Sequence, residues 1–400
     1  MENLNIVIVG HVDHGKSTLI GRLFYDTNSL PEGKVEELKT ICKQLGKDLE
    51  FGFLLDHLEE ERDQGITIDT TQAFFRTTAR QYTIIDAPGH AEFVKNMITG
   101  ASQAEAAILI VDAGEGVQEQ TQRHAYILGM LGLSQVIVVL NKMDTVGYSE
   151  GVFCEVRDEL LAFLGRLKIN PRHIIPISAR HGDFIAKRSE RLTWYDGPTV
   201  LEALDSFKAS PSLSQKPLRF PVQDVYNWGK RIIAGRLASG TIRVGDEITI
   251  MPSGEKTAIA TIEEYGKSPG TASAGKSIGI TTKDKVFADR GSIIAAKPLP
   301  AASKEFCGRI FWMDKEPYKP GERLLLRCAT QEMRCSLEIT RIINSSTLEP
   351  KGTARIENRD VADIIIRTEQ EIVTDSFSKI PEMGRFVLQR KDTCAGGIII

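Results

Sequence analysis

The stretch that decides the fold is residues 10–17, Gly10-His11-Val12-Asp13-His14-Gly15-Lys16-Ser17. It follows the apolar run 4–9 and leads into a run of helical character that begins at Thr18. The pattern G-x-x-x-x-G-K-[ST], placed between a strand and a helix, is typical of a loop that binds phosphate. The sequence therefore predicts an α/β nucleotide-binding domain whose first strand ends at this loop.

The residue types in the loop have physical reasons. Gly10 and Gly15 let the backbone approach phosphate oxygens without a Cβ in the way, and the loop N–H groups lie at a helix N-terminus, where anions bind. We expect Lys16 to reach the β- and γ-phosphates and the Ser17 hydroxyl to occupy one Mg²⁺ position. The predicted phosphate-binding residues are Gly10, His11, Val12, Asp13, His14, Gly15, Lys16, Ser17 and Thr18.

The composition is typical of a soluble globular protein, with 400 residues, 42% hydrophobic, 26% charged and a formal net charge of −3. At about 150 residues per domain, this length predicts two or three domains. No apolar run approaches the roughly 18 residues of a membrane span, and the N-terminus lacks a signal peptide. The six scattered cysteines predict reduced thiols. We expect a cytoplasmic protein with no membrane partner.

Residues 1–208 alternate short apolar strands with amphipathic helices, two of which are predicted over 35–45 and 152–167. This alternation predicts a mostly parallel sheet with helices on both faces. Because no crossover helix fits between residues 66–76 and 81–85, one of these two strands is expected to run antiparallel. The predicted strands are Leu4–Val9, Ile66–Arg76, Gln81–Ile85, Ala106–Val111, Gln135–Leu140 and His173–Ile177.

The second half of the chain has a different pattern. Residues 209–217 are a linker by their Ser and Pro content, and residues 218–297 carry period-2 runs punctuated by glycine. A second strand-rich block covers residues 301–400. Two all-β modules of this size suit small barrels, which leave no open sheet edge. The apolar stretch 396–400 predicts either the last strand of the second barrel or the junction to a further domain.

Two motifs downstream of the loop predict the residues that sense the γ-phosphate. In Asp86-Ala87-Pro88-Gly89-His90, we expect Asp86 to hold Mg²⁺ through water and Gly89 to donate its N–H to the γ-phosphate. Thr67 is expected to supply a second Mg²⁺ hydroxyl, and His90 is the candidate for positioning the attacking water. The predicted catalytic residues are thus Lys16, Gly89 and His90, and the predicted metal ligands are Ser17, Thr67 and Asp86.

Base recognition is predicted at the ends of two later strands. In Asn141-Lys142-Met143-Asp144, an amide and a carboxylate match the edge of guanine, whereas adenine would leave Asp144 unpaired. Lys142 is expected to lay its stem along the base. The turn Ser178-Ala179-Arg180 is expected to supply a backbone N–H to guanine O6. The predicted base-binding residues are Asn141, Lys142, Asp144, Ser178, Ala179 and Arg180, and they favour GTP over ATP.

These motifs, in this order, resemble those of the translational-GTPase superfamily, which contains elongation factors Tu and 1-alpha. The resemblance runs along essentially the whole chain, through GHVDHGKSTLIGRL, RDQGITID, DAPGHAEFVKNMITGAS, NKMD and TWYDGPTVLEALD. It implies a G domain that binds GTP or GDP with Mg²⁺, followed by two β-barrels.

The β-rich half is similar to that of the GTPase subunit of heterodimeric ATP sulfurylase (sulfate adenylyltransferase subunit 1), through residues 219–225, 234–240, 251–254 and 311–317. This resemblance implies that GTP hydrolysis on this chain drives the unfavourable synthesis of adenylyl sulfate from ATP and sulfate on a small catalytic subunit. The ending at 396–398 implies an adenylyl-sulfate kinase as a further partner.

Two of these motifs, the phosphate loop and the motif that begins at Asp86, leave other interpretations open. The phosphate loop carries His11 and His14 where the sulfurylase subunit usually has Ser and Asp, and the second box reads DAPG. Both boxes read as in elongation factors. A carrier of aminoacyl-tRNA is therefore the alternative prediction, and a regulatory GTPase with another protein client is a third.

Overall fold

The computed structural model describes residues 3–30, 33, 36, 51, 72–85, 104–208, 213–264, 266–353 and 355–400. The chain divides into two compact units, Met1–Ser210 and Pro211–Ile400. Within the predicted linker 209–217, residues 213–215 form one turn of 3-10 helix, and residues 209–212 lie outside the described ranges. The predicted helix over 35–45 also falls almost entirely on residues that are not described.

The N-terminal unit contains a six-stranded sheet in the order β2-β3-β1-β4-β5-β6. All neighbouring strands pair in parallel except β2 and β3, which are antiparallel, so the prediction of one antiparallel strand is confirmed. Only the last part of the predicted strand 66–76 is described. The strands are β1 (Asn3–Gly10), β2 (Gln72–Arg76), β3 (Gln81–Ile85), β4 (Ala106–Asp112), β5 (Val136–Asn141) and β6 (His173–Pro176).

Two neighbouring strands inside this sheet are buried over their whole length. Every residue of β4 and of β5 is buried, as expected for a parallel sheet that is covered on both faces. Ser149 caps the longest described helix by accepting the Val152 N–H, and a reciprocal capping box of Thr199 and Glu202 begins the last one. The helices described in this unit are α1 (Lys16–Asp26), α2 (Glu119–Met130), α3 (Glu150–Arg166) and α4 (Val200–Asp205).

The C-terminal unit contains two closed six-stranded barrels. The first barrel has the order β10-β11-β13-β8-β7-β14, with β9 and β12 forming a separate two-stranded sheet. Its apolar core includes Phe220, Ile250 and Ile280. The strands are β7 (Arg219–Trp228), β8 (Lys230–Arg236), β9 (Thr241–Arg243), β10 (Glu247–Met251), β11 (Glu255–Glu263), β12 (Thr271–Ser273), β13 (Ser277–Thr282) and β14 (Ile293–Ala295).

The second barrel has the order β15-β18-β17-β16-β19-β20 and packs Trp312 and Tyr318 in its core. Its last strand pairs with both β15 and β19, so the apolar end of the sequence is the closing strand of this barrel. The elements are β15 (Ala301–Trp312), β16 (Arg323–Cys328), β17 (Gln331–Asn344), β18 (Asp360–Thr374), the single helical turn α5 (Pro381–Gly384), β19 (Arg385–Gln389) and β20 (Thr393–Ile399).

Within the described ranges, no helix combines the length and apolar character needed to cross a membrane. The cysteines of the described chain are reduced thiols, at positions 154, 307, 328, 335 and 394.

Candidate nucleotide-binding site

The site is built where β1 ends and α1 begins. Gly15 caps α1 with a φ of 91°, and Asp13 also has a positive φ, of 62°, so the loop turns sharply before the helix. A Cβ on Gly10 would lie 2.3 Å from the Ile110 carbonyl oxygen, and one on Gly15 would lie 2.3 Å from Asn141 Nδ2. Neither position has room for a side chain, which explains both glycines of the motif.

Lys16 points its ammonium group back across this loop. Its Nζ donates to the carbonyl oxygens of Gly10 at 3.0 Å and His11 at 2.6 Å. Burial lowers the pKa of Lys16, with Asp13 acting in the opposite direction. Ser17 and Thr18 follow in the first turn of α1 and are half-buried. The loop therefore gathers a cation, two hydroxyls and a helix N-terminus, which is a suitable donor set for phosphate.

His14 is buried inside the loop and takes part in a hydrogen-bonding chain. Its Nδ1 accepts from the backbone N–H of Asp112 at 3.2 Å, so Nε2 carries the proton and donates to Glu115 at 3.2 Å. Burial lowers the pKa of His14, which fits a neutral ring. The His11 ring lies 5.0 Å from that of His14. Packing and hydrogen bonds within the loop thus hold His14, and the His11 ring packs beside it.

Asn141, the last residue of β5, is hydrogen-bonded to residues of two other motifs, the phosphate loop and the turn at residues 178–180. Its Nδ2 donates to the His14 carbonyl at 2.9 Å, and its Oδ1 accepts the Ala179 N–H at 2.9 Å. The amide is 2% exposed, and only one of its N–H bonds is left over for a base. Asn141 therefore connects the phosphate loop to the turn that contains Ala179, in addition to the base contact that the sequence predicts. The Ala179 N–H is bonded within the protein, to Asn141 Oδ1.

The carboxylate predicted to read guanine is held by its neighbour in the next loop. Ser178 Oγ donates to Asp144 Oδ1 at 2.6 Å, and the His181 ring nitrogen lies 3.9 Å from Oδ2. Asp144 thereby has one oxygen held by a hydrogen bond inside the protein, and its side chain is 19% exposed. A carboxylate held in this way can accept N–H bonds from the edge of a purine. Arg180 follows with an exposed side chain.

Two residues outside the sequence motifs organise the site. Asp112, at the end of β4, pairs with Lys142 Nζ at 2.8 Å and is 4% exposed. His124, on α2, is half-buried; burial, and then the charge of Lys16, lower its pKa to about 3. The only sequence signal for Asp112 is a carboxylate at the carboxyl end of a buried parallel strand, which is where such sheets place their ligands.

The remaining predicted site residues, Thr67, Asp86, Gly89 and His90, lie outside the described residues. In the part of the chain that the structure describes, no group of three His, Cys, Asp or Glu side chains is placed to hold a metal ion. Ser17 is the one predicted Mg²⁺ ligand that is described. A hydroxyl at the first helical turn, next to a phosphate loop, fits a site where nucleotide phosphates complete the metal's coordination.

Comparison with protein families decides the class. Residues 1–210 match the family model described as elongation factor Tu GTP binding domain. The chain belongs to the translational GTPase superfamily. Residues 305–400 match a second model, GTP-eEF1A C-terminal domain-like. The chain is therefore a GTPase that binds guanine nucleotide with Mg²⁺, which confirms the predicted fold class and cofactors.

Two kinds of relative are equally similar to this translational GTPase. Elongation factor 1-alpha of Archaeoglobus fulgidus is 36% identical, over 97% of this chain and 95% of that protein. Sulfate adenylyltransferase subunit 1 of Aeromonas hydrophila is 35% identical, over 96% of this chain and 82% of that protein. Bifunctional enzyme NodQ of a Rhizobium species is also 35% identical over 96% of this chain, which spans 61% of that longer protein.

Proposed function

We propose that this GTPase is the regulatory subunit of a sulfate adenylyltransferase. In this proposal, GTP hydrolysis on the chain drives the synthesis of adenylyl sulfate from ATP and sulfate on a partner catalytic subunit. Relatives named sulfate adenylyltransferase subunit 1 and NodQ align over 96% of the chain and thus support the assignment along both units.

One observation favours this function over that of a tRNA carrier: basic and acidic side chains are paired on the second barrel. A protein that binds tRNA must offer Lys and Arg side chains to phosphate groups. On this barrel, six of the sixteen Lys and Arg side chains are paired with acidic neighbours, so an RNA backbone would meet repulsion beside each of these six cations. A protein subunit can complement such a mixed surface. The pairs are Arg309–Asp363, Arg323–Glu369, Arg327–Glu332, Lys351–Asp360, Arg367–Glu305 and Arg390–Glu322.

The site residues have defined tasks in this proposal. Asp144 and Lys142 bind the guanine base, and the loop with Lys16 binds the phosphates. Ser17, Thr67 and Asp86 would hold Mg²⁺, which neutralises phosphate charge when it is bound. Gly89 binds the γ-phosphate, and release of Thr67 and Gly89 after hydrolysis frees their segments. Residues 1–208 are the G domain, 209–217 the linker, and 218–297 and 301–400 the barrel domains.

The proposal is tested by mixing the purified chain with a small catalytic subunit of sulfate adenylyltransferase. Pyrophosphate release from ATP and sulfate is measured with and without GTP, and we expect release to depend on GTP. The Asp144→Asn variant is the matched control, because its stimulation should follow xanthosine triphosphate instead of GTP. A wild-type chain that gives no stimulation with either nucleotide contradicts the proposal.

His90 is the proposed positioning group for the attacking water. Replacing His90 with Ala should leave the affinity for GTP nearly unchanged and slow hydrolysis by roughly a hundredfold or more, as expected for losing a general-base or water-orienting group. Single-turnover hydrolysis and fluorescent-nucleotide titration measure the two quantities separately. Equal losses of binding and hydrolysis would refute this role.

The second candidate is an elongation-factor-like carrier of aminoacyl-tRNA, which the elongation factor 1-alpha relatives support. It requires tight binding of charged tRNA in the GTP state only, with an affinity that falls steeply with salt because counterions are released from phosphates. Filter binding at several salt concentrations measures both properties. An affinity that is weak and independent of the bound nucleotide would eliminate this candidate.

A further inference from the structure

The two loops that carry the base-binding motifs follow neighbouring parallel strands. The first loop, residues 141–149, connects the end of β5 to α3, and the second, residues 177–184, follows β6. One side-chain bond between them is the bond from Ser178 Oγ to Asp144 Oδ1, at 2.6 Å. Because Asp144 is held from the opposite loop, the position of its carboxylate depends on how the two loops are held relative to each other.

A second side-chain bond joins the same two loops. Tyr148, four residues after Asp144, donates its hydroxyl to Asp183 Oδ2 at 2.8 Å. Arg191 Nη1 donates to the Tyr148 hydroxyl at 3.2 Å and lies 3.4 Å from the same carboxylate oxygen. Asp183 is only 8% exposed, so water has little access to replace the hydroxyl. Removing one partner of a buried bond leaves the other unsatisfied, which costs more than the bond itself contributes.

The backbone of Tyr148 adopts an unusual conformation that its contacts hold. Its φ is 56°, in the left-handed region that residues other than glycine rarely adopt. Its N–H donates to the Met143 carbonyl at 2.8 Å, and its carbonyl accepts from Trp194 Nε1 at 2.9 Å. Such conformations persist only where the surroundings determine them, and they are concentrated at functional sites. The bond to Met143 closes the turn that contains Asp144, so the position of Tyr148 constrains that turn.

Asp183 is bonded in turn to the residue that holds Asp144. Its N–H donates to the Ser178 carbonyl at 3.2 Å, and its carbonyl accepts the Ser178 N–H at 3.3 Å. Ser178 is completely buried. The bond between Tyr148 and Asp183 and the bond between Ser178 and Asp144 therefore hold the two loops together at two points, and backbone bonds within each loop connect these points.

We propose that Tyr148 and Asp183 are positioning residues for guanine recognition. Their hydrogen bond fixes the two base-binding loops relative to each other, and it thereby holds the Asp144 carboxylate where it accepts both N–H groups of guanine. This inference rests on the base contact of Asp144 in the proposed function and is independent of the partner subunit. Its consequence is that loss of the bond weakens recognition of the 2-amino group of the base more than binding of the phosphates.

The test measures two quantities on the full chain, the dissociation rate of a fluorescent GDP analogue and the ratio of the affinities for GDP and IDP. The hypoxanthine base of IDP lacks the 2-amino group and donates one bond fewer to Asp144, so the ratio reports on this carboxylate. Tyr148→Phe should speed dissociation about tenfold and reduce the preference for GDP at least about threefold. Asp183→Asn, whose amide oxygen still accepts from the hydroxyl, should have a smaller effect than Asp183→Ala.

Tyr82→Phe is the matched control. The Tyr82 hydroxyl donates to Asp205 Oδ1 at 2.6 Å, which is the same kind of bond near the amino-terminal end of β3. Since the site lies at the carboxyl ends of the parallel strands, this variant should keep both quantities at wild-type values. In the double variant of Tyr148→Phe and Asp183→Ala, dissociation should be no more than about twofold faster than in Asp183→Ala alone, because both changes remove the same bond.

The outcomes separate this inference from the proposed function. If Tyr148→Phe keeps the preference for GDP over IDP within about twofold of the wild type, the positioning role is wrong, even where the affinities for both nucleotides fall equally. The base contact is checked with Asp144→Asn, which should also reduce the preference for GDP. If Asp144→Asn has no such effect, the base contact fails and this inference fails with it. If Asp144→Asn alone has the effect, the base contact stands and the inference is overturned.

Discussion

Asp112 links the base-binding and phosphate-binding parts of the site through one buried residue. Its carboxylate pairs with Lys142 and accepts the Gly114 N–H at 2.7 Å, while its own N–H binds His14. Burial raises the pKa of Asp112, but the bonds from Lys142 and Gly114 outweigh it and hold the pKa below its usual range. The carboxylate is therefore ionised at neutral pH, and it fixes the ammonium of Lys142.

Replacing Asp112 with Asn should weaken guanine nucleotide binding about tenfold, because the charged partner of Lys142 is lost while the shape is kept. The loss should appear mainly as faster dissociation of a fluorescent GDP analogue in stopped-flow experiments. Hydrolysis at saturating GTP should change less than twofold. Glu115→Gln, which alters only the outer bond to His14, is the control, and an equal effect of both variants would contradict the positioning role.

Asp144 should determine which purine is bound. Its carboxylate accepts two N–H bonds from guanine in our interpretation, so Asp144→Asn should lower the affinity for GTP roughly a hundredfold. The amide of the variant can instead donate to the C2 oxygen of xanthine, and XTP should become the better competitor. Competition of GTP and XTP against the fluorescent analogue checks this, and unchanged competition by XTP would rule it out.

The sequence identifies Lys16 and Asp144 as site residues because short spacings place them in recognisable motifs. It does not identify Asp112, since this residue looks like the ordinary end of an apolar strand. The role of Asp112 in the site depends on its contacts with His14 and Lys142. These residues lie far from it in the chain and reach it only because parallel strands end at the same sheet edge. Contacts of this kind depend on the fold and leave no local pattern.

At the scale of elements, Arg390 holds the turn before β16 against the hairpin of β19 and β20. Its guanidinium binds both oxygens of Glu322, at 2.5 and 2.8 Å, and one oxygen of Asp314 at 2.8 Å, and it lies 5.2 Å from the centre of the Trp312 ring. The bond from Arg390 lowers the pKa of Glu322, partly opposed by burial. The bond from Arg390 to Glu322 therefore contributes its full stabilisation of the turn only while Glu322 is ionised.

This pairing predicts a pH-dependent contribution to stability. Because the pKa of Glu322 is lower in the folded chain than in the unfolded one, its contribution is fully present above the usual value of 4.5 and is lost as the pH falls through the lowered pKa. Glu322→Gln should therefore lower the urea midpoint at pH 7, and its difference from the wild-type chain should shrink as the pH falls below 4.5. Glu369→Gln, in the exposed pair with Arg323, should have little effect at either pH.

The sequence predicts the two barrels as all-β modules but does not predict the order of the strands within them. Alternating apolar residues and glycine turns indicate two all-β modules. The last strand of the second barrel, β20, is one of the two roles that the sequence left open for the apolar stretch 396–400. The strand order of the barrels is not predictable in this way, because β7 pairs with β14 through contacts distant in sequence. Period-2 patterns show which face of a strand is buried but not which strand lies beside it.

At the scale of the C-terminal unit, Arg219 joins the two barrels. Its guanidinium is 2% exposed and uses all five of its N–H donors on the acceptors described here. Three bonds go to the carbonyls of Leu218, Ala296 and Pro298, and two go to the carboxylate of Asp375, at 2.7 and 3.2 Å. A small apolar cluster also contains residues of both barrels, among them Ile293 of the first and Met383 of the second. The two barrels should therefore unfold together.

Arg219→Met should lower the free energy of unfolding of this unit by about 3–5 kcal/mol, because it leaves the nearly buried carboxylate of Asp375 without its cation. Adding Asp375→Leu should recover much of that loss, since the pair is then replaced by apolar side chains of similar size. Urea unfolding of the whole chain measures both effects. Arg367→Met breaks an exposed pair with Glu305 and should cost no more than about 1 kcal/mol. If Arg219→Met costs no more than this control, or if the double variant is less stable than Arg219→Met alone, the Arg219–Asp375 pair does not hold the two barrels together.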